Sequence, residues 1–154
     1  MLRLSKLTDY GTVIMARMAR EQDRIFAAPE LAAAIGVATP TASKILKMLA
    51  RGELLLSVRG AKGGYMLSRP AAEISVAHII DAMEGPIGVT ECSATSGLCA
   101  QEAACSIRGN WQRINLVIRR ALGQITLADM ARPAFRPEYL QVEARVTRRQ
   151  RASA

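Results

Sequence analysis

A mainly α-helical fold with one short β-hairpin is predicted by three observations on this 154-residue sequence. Half of the residues are apolar but only 4% are aromatic, so the core must be aliphatic, and its alanine and leucine are strong helix formers. Apolar residues recur at helical spacing in successive stretches punctuated by Gly and Pro. The exception is a pair of short apolar runs flanking Arg59-Gly-Ala-Lys-Gly-Gly64, which reads as a hairpin.

A first helix is predicted from about Thr8 to Glu21, with Leu7, Val13, Ile14, Met15 and Met18 as its apolar face. Arg17 and Arg20 fall in its last turns, where cations suit the helix dipole. Pro29 and Glu30 open a second helix that Gly36 ends. Thr39 reads as the N-cap of a third helix with Pro40 at its first position, and Gly52 as its stop. Two short helices around Gly36-Val37 form a helix-turn-helix pattern.

Leu54–Val58 and Tyr65–Leu67 are then expected as strands. Gly60, Gly63 and Gly64 supply the positive φ angles that a hairpin joint needs. Ser75 reads as the cap of a fourth helix carrying Ile79, Ile80, Met83 and His78, the only histidine, read as a helix-surface or partly buried imidazole in preference to a metal ligand. The longest helix is expected to open at Gly109 or Asn110. Its stripe of Trp111, Ile114, Val117, Ile118, Ala121, Leu122 and Ile125 serves either as core or as a homodimer seam. Thr126 begins a last short turn, and the Arg-rich end after Pro133 reads as a solvated, poorly ordered tail.

Charge divides the chain. Residues 1–70 carry 11 Lys and Arg against 5 acids, a net +6; residues 71–131 carry 4 against 6, a net −2. A basic N-terminal half is what phosphate neutralisation on nucleic acid requires. On the third helix Thr39, Thr41, Ser43, Lys44 and Lys47 are hydrogen-bonding or cationic, and none of the residues on that face is acidic, which suits a major groove. Arg59 and Lys62 project from the hairpin tip, as the cations of a wing that reaches phosphates or a minor groove. The alternative for both is an ordinary solvated surface.

The three cysteines all lie in fourteen residues, as Cys92-x6-Cys99-x5-Cys105. Thiolates are soft ligands for zinc and iron–sulfur clusters, and an odd count leaves one thiol over from any disulfide. A metal or redox centre is expected, one protein ligand short of four. No apolar run approaches the roughly 18–20 residues that span a bilayer, and the first residues lack the apolar stretch of a signal peptide, so a cytoplasmic location with no membrane partner is expected. Catalysis is disfavoured by one histidine and by the lack of GxxxxGK[ST] and GxSxG patterns.

Taken together, Arg3-Leu4 with Asp9-Tyr10, Ser57-Val-Arg-Gly60 with Gly63-Gly-Tyr65, the spaced cysteines, Trp111 and Ile125-Thr-Leu127 resemble the Rrf2 family of winged-helix transcription regulators, the IscR and NsrR type. The resemblance covers about residues 1–131 and is nearest to the branch that regulates the suf iron–sulfur assembly operon. It implies a homodimer on double-stranded operator DNA, controlled by a 2Fe–2S or 4Fe–4S cluster on Cys92, Cys99 and Cys105. It also implies a winged helix-turn-helix domain over residues 1–84, a cysteine loop over 85–109, a dimerisation helix with its terminal turn over 110–131, and the tail over 132–154.

One position departs from the family pattern. Where one branch has a histidine three residues after the third cysteine, this chain has Arg108, which cannot ligate. Another branch uses an N-terminal carboxylate of the partner subunit, and the matching residue is Asp9; Glu91, Glu102 or an exogenous ligand are alternatives. Two rival readings remain open: a DNA-binding regulator with a zinc or thiol-redox site, and an electron-transfer or cluster-carrier protein.

Overall fold

The computed structural model describes residues 3–97 and 99–132; the predicted tail, from Pro133 on, lies outside them. In chain order the elements are α1 (Lys6–Met18) with a one-turn 3-10 extension (Ala19–Glu21), α2 (Ala28–Ile35), α3 (Thr39–Arg51), β1 (Leu55–Val58) and β2 (Gly64–Leu67). After them come α4 (Val76–Glu84), the single turn α5 (Glu91–Ala94), α6 (Arg108–Gln124) and α7 (Leu127–Ala131). The fold is thus mainly helical with a two-stranded antiparallel wing, as the sequence predicts.

One aliphatic core holds α1, α2, α3, α4 and the root of the wing. Ile14, Met15, Leu31, Ile45, Leu46, Leu49 and Ile79 are all fully buried in it. Each such side chain contributes about 1.5–3 kcal/mol relative to exposure. Leu127 of α7 belongs to the same core. It is brought there by the pairing of Val76 N–H with Ile125 O at 2.9 Å and of Leu127 N–H with Ile74 O at 2.7 Å. The chain therefore returns after α6 to the domain it left after α4.

Local chemistry sets the helix ends, with two departures from expectation. Ser75 caps α4 as predicted, and His78 completes the box: its Nδ1 accepts from Ser75 N–H at 3.1 Å on an exposed helix surface. Thr39 is not a cap. The N-cap of α3 is Ala38, with Thr39 as the first helical residue and no side-chain hydrogen bond at that end. Pro40 stands one place later than expected and loses nothing there, because first-turn amides have no intrahelical acceptor.

The glycines of the wing also work differently from the prediction. Of the three, Gly60 alone has a positive φ, 117°. Gly63 and Gly64 are needed for space, since a Cβ at Gly63 would strike Val58 O and one at Gly64 would strike Phe26 O. The second approach has a structural use. Phe26 and Tyr65 exchange backbone hydrogen bonds of 2.8 and 2.9 Å, which fastens the root of β2 to the segment between α1 and α2.

Candidate nucleic-acid interface and cysteine loop

Helix α3 buries Ala42, Ile45, Leu46 and Leu49 on one side. At 100° per residue the opposite side carries Ser43, Lys44, Lys47 and Arg51. Thr39, Lys44 and Lys47 are exposed, and Thr41 and Ser43 are half-buried at the edges. Arg59 and Lys62 are exposed at the tip of the wing. Among the described residues no carboxylate pairs with Lys44, Lys47, Arg59 or Lys62. Cations left without acidic partners on a helix and an adjoining hairpin suit a polyanion.

Cys92 lies in α5, buried at 7% exposure, with its Sγ 3.3 Å from Thr90 Oγ1. Cys99 and Cys105 are half-buried, in a stretch of single turns, and none of the three is in a disulfide. Arg108, the position of the expected departure, opens α6 and pairs with Glu102, whose second oxygen accepts Gly97 N–H at 2.6 Å. Glu102 is thereby engaged in holding the loop. The Nε of Arg108 is buried without a partner among the described residues.

Three thiols on one short segment fit a soft metal or cluster by donor chemistry. Their placement does not gather them: among the described residues no three Cys, His, Asp or Glu side chains converge on a point that could hold a metal ion. Asp9 is exposed in the first turn of α1, on the winged-helix domain.

The predicted apolar stripe of α6 divides into two faces. Ile118 and Leu122 turn inward and pack with Ala77, Ile80 and Ile87. Ile114 and Val117 stay exposed, as does Ile107 just before the helix. On the inward face, beside Leu122, lies a residue that sequence reasoning missed. Asn115 is buried at 7% exposure, and its side chain bonds to the backbone of Ile87, Val89 and Ser93. A signal was present: a poor helix former three residues before Ile118 and seven before Leu122, on their face.

A helix-turn-helix with an exposed cationic face, a basic wing and a long appended helix defines a winged-helix DNA-binding regulator. The family model described as an iron-dependent transcriptional regulator, Rrf2, matches residues 4–133. The chain belongs to the Rrf2 family of transcriptional regulators and is a DNA-binding protein of that class. A helix-turn-helix transcriptional regulator of Mycobacterium tuberculosis is 29% identical over 140 residues, covering 90% of this chain and 86% of the relative. Among solved structures, CymR, the global cysteine regulator of B. subtilis, is similar with a TM-score of 0.66 at 27% identity, covering 85% of this chain and 97% of that one. IscR of T. potens is similar with a TM-score of 0.60 at 28% identity, covering 84% and 85%. No helix among the described residues is long and apolar enough to cross a membrane.

Proposed function

We propose that this protein is a cytoplasmic, homodimeric, non-enzymatic regulator of transcription whose hold on operator DNA depends on an iron–sulfur cluster at Cys92, Cys99 and Cys105, and that its targets are iron–sulfur assembly genes of the suf type. The observation that carries this reading is where the thiols lie. All cysteines of the chain sit on the segment that joins α4, packed on α3, to α6. The description of the matching family model as iron-dependent supports the choice of metal.

In this reading Lys44 and Lys47 neutralise phosphates, while Thr39, Thr41 and Ser43 meet base edges or phosphates in the major groove. Arg59 and Lys62 carry the wing to the neighbouring backbone or minor groove. A two-fold pair of chains reads two half-sites. Its seam is the outer face of α6 with the residue that precedes it, where Ile107, Ile114 and Ala121 recur at seven-residue spacing with Val117 beside them and are exposed in the single chain. The cluster, when bound, supplies iron whose occupancy and oxidation state answer to the cell's supply. Asp9 of the partner subunit is the proposed fourth ligand, on the resemblance to the branch that uses an N-terminal carboxylate; Arg108 cannot serve and Glu102 is already engaged.

Control requires that loaded and empty forms differ in DNA affinity, and a 100-fold difference corresponds to about 2.7 kcal/mol of coupling. Anaerobic purification is expected to give a brown protein with visible absorbance, iron and sulfide. Loaded and empty dimers are expected to bind the DNA upstream of the protein's own gene with different affinities. Colourless protein lacking iron and sulfide after reconstitution would overturn the cluster, and the absence of salt-dependent DNA binding would overturn regulation, in favour of a carrier.

A second reading is a zinc or thiol-redox regulator, and its thiol-redox form is favoured by one observation: the three thiols are free and, among the described residues, do not converge as a group that could hold a metal ion. Stoichiometric zinc in colourless protein, or thiols whose oxidation alone changes DNA binding, would establish it.

A further inference from the structure

The geometry points to Asn115 as the positioning residue that ties the Cys92 segment to α6, so that the chemical state of this cysteine is felt at α3. This inference rests on the proposed control of DNA binding by the cysteine loop and names the residue through which that control runs.

The burial pattern around Asn115 is inverted. It is 7% exposed, while its neighbours Ile114 and Leu116 are 44% and 46% exposed. A buried amide between two exposed aliphatic residues is costly unless its hydrogen bonds are made. Here they are. Oδ1 accepts Val89 N–H at 3.2 Å, and Nδ2 donates to Ile87 O and to Ser93 O, both at 3.0 Å. Ile87 and Val89 lead out of α4, and Ser93 directly follows Cys92. One side chain thus holds both ends of the bow that carries the buried thiol. An amide offers an acceptor and two donors from one small group; Asp lacks the donors, Leu lacks both, and Gln adds a methylene.

A second contact continues the connection toward DNA. One turn along the same face of α6, Arg119 makes a two-pronged pair with Asp81 of α4, at 3.1 and 2.5 Å. Asp81 Oδ1 also accepts Ile87 N–H at 3.2 Å. Ile87 is therefore pinned at its N–H through α4 and at its C=O by Asn115. The neighbouring residue Ala82 lies against the end of α3, so closely that a Cβ on Gly52 would overlap it. Closely packed contacts of this kind transmit displacement because packed interiors yield little.

The test uses the full chain, reduced and cluster-free. Iodoacetamide alkylation of each cysteine is timed by mass spectrometry in the wild type, in Asn115→Leu and in Asn115→Gln. In the wild type Cys92 is expected to react at least tenfold more slowly than Cys99 and Cys105. Asn115→Leu should bring it up to their rate while leaving theirs unchanged, and Asn115→Gln should recover part of the gap. A Cys92 rate in Asn115→Leu within twofold of wild type would overturn the inference. So would equal acceleration of all three cysteines, which is general loosening.

Should Asn115→Leu not fold, hydrogen exchange of the wild type decides. A protected Val89 amide that opens in step with Cys92 alkylation supports the tie, and an unprotected one overturns it. The coupling itself is read as DNA affinity before and after alkylation of Cys92, in chains carrying Cys99→Ser and Cys105→Ser. A tenfold change that falls within twofold once Asn115→Leu is added supports transmission through Asn115. No change before that substitution, or an undiminished change after it, overturns it. None of these readouts needs iron, so failure to bind a cluster would sink the proposed cofactor and leave the Asn115 result standing.

Discussion

Thr8 donates its hydroxyl hydrogen to Glu84 Oε1 at 2.6 Å, joining the first turn of α1 to the last residue of α4. The same oxygen accepts Ser5 N–H at 2.7 Å, and Ser5 Oγ in turn caps Thr8 N–H at 3.2 Å. Thr8 is fully buried, so its hydroxyl needs this acceptor. The knot fixes the start of α1 to the point where the chain leaves α4 for the cysteine loop.

The Glu84 contact has a pH signature. The Thr8 hydroxyl first, and the Ser5 amide second, hold the Glu84 carboxyl below the usual glutamate range. The unfolded chain takes up this proton at about pH 4.3 and the folded chain only at lower pH. Stability from the contact is therefore present above that unfolded value and is lost as pH falls through the depressed folded one. Glu84→Gln keeps an acceptor for both donors but cannot titrate. The thermal midpoint of Glu84→Gln should lie below wild type at pH 7, and the gap should close by about pH 3. A gap that is constant over this range would show that the carboxylate charge is not involved.

Gly52→Ala is expected to destabilise the winged-helix core by about 1–3 kcal/mol, because the added methyl overlaps Ala82 Cβ across the α3–α4 contact. The φ of Gly52 is −79°, so backbone strain plays no part. Adding Ala82→Gly should therefore restore much of the loss, and denaturant melts of the two single variants and the double variant measure this. Strictly additive losses would exclude the steric account.

Lys44→Gln and Arg59→Gln should each weaken DNA binding and reduce the slope of log K against log salt by about 0.9, the value for one phosphate contact. Arg120→Gln, exposed on α6 and not on α3 or the wing, should leave the slope unchanged. Titrations at several salt concentrations with one duplex make the comparison. An equal effect at all three sites would mean that overall charge, and not the α3 and wing surface, carries the interaction.

The winged helix was legible in the sequence because its signals are local. Periodic apolar faces, Pro40 near the start of α3, Gly36 at a φ of 71° and the glycine-rich joint of the wing each act within a few residues. What misled was chemistry that depends on distant neighbours. Thr39 has the side chain of a cap, yet the backbone enters α3 at Ala38. Gly63 and Gly64 are set by the approach of Val58 and Phe26, not by φ. The stripe on α6 was one pattern in sequence but two faces in space, since α4 and Ile87 cover Ile118 and Leu122 and leave Ile114 and Val117 exposed. Asn115 escaped notice because its partners are backbone atoms 22 to 28 residues away, which no side-chain pattern records. The cysteine spacing was legible, while the arrangement of single turns between the thiols was not.

The thiols and Asp9 can be separated by what each removes. Cys92→Ser, Cys99→Ser and Cys105→Ser should each abolish bound iron and visible absorbance after anaerobic reconstitution, since losing one of three thiolates leaves too few soft ligands for a cluster. Asp9→Ala should also lower iron content, but through a different requirement. If the carboxylate comes from the partner subunit, its loss should matter only in the dimer. Val117→Asp, which puts a charge on the outer face of α6, should turn the proposed dimer into a monomer by light scattering. In that monomer Asp9→Ala should have no further effect on iron. A Cys92→Ser protein that keeps full iron and sulfide would remove the cluster from this loop. Iron loss from Asp9→Ala that is equal in monomer and dimer would show that Asp9 acts within its own chain, and no iron loss in the dimer would place the missing ligand elsewhere, with Glu91 and Glu102 next to be tested. The Thr8–Glu84 knot gives the control: it holds the first turn of α1, where Asp9 sits, so a drop in iron caused by Glu84→Ala with Asp9 intact would show that the position of the carboxylate, and not its charge alone, completes the site.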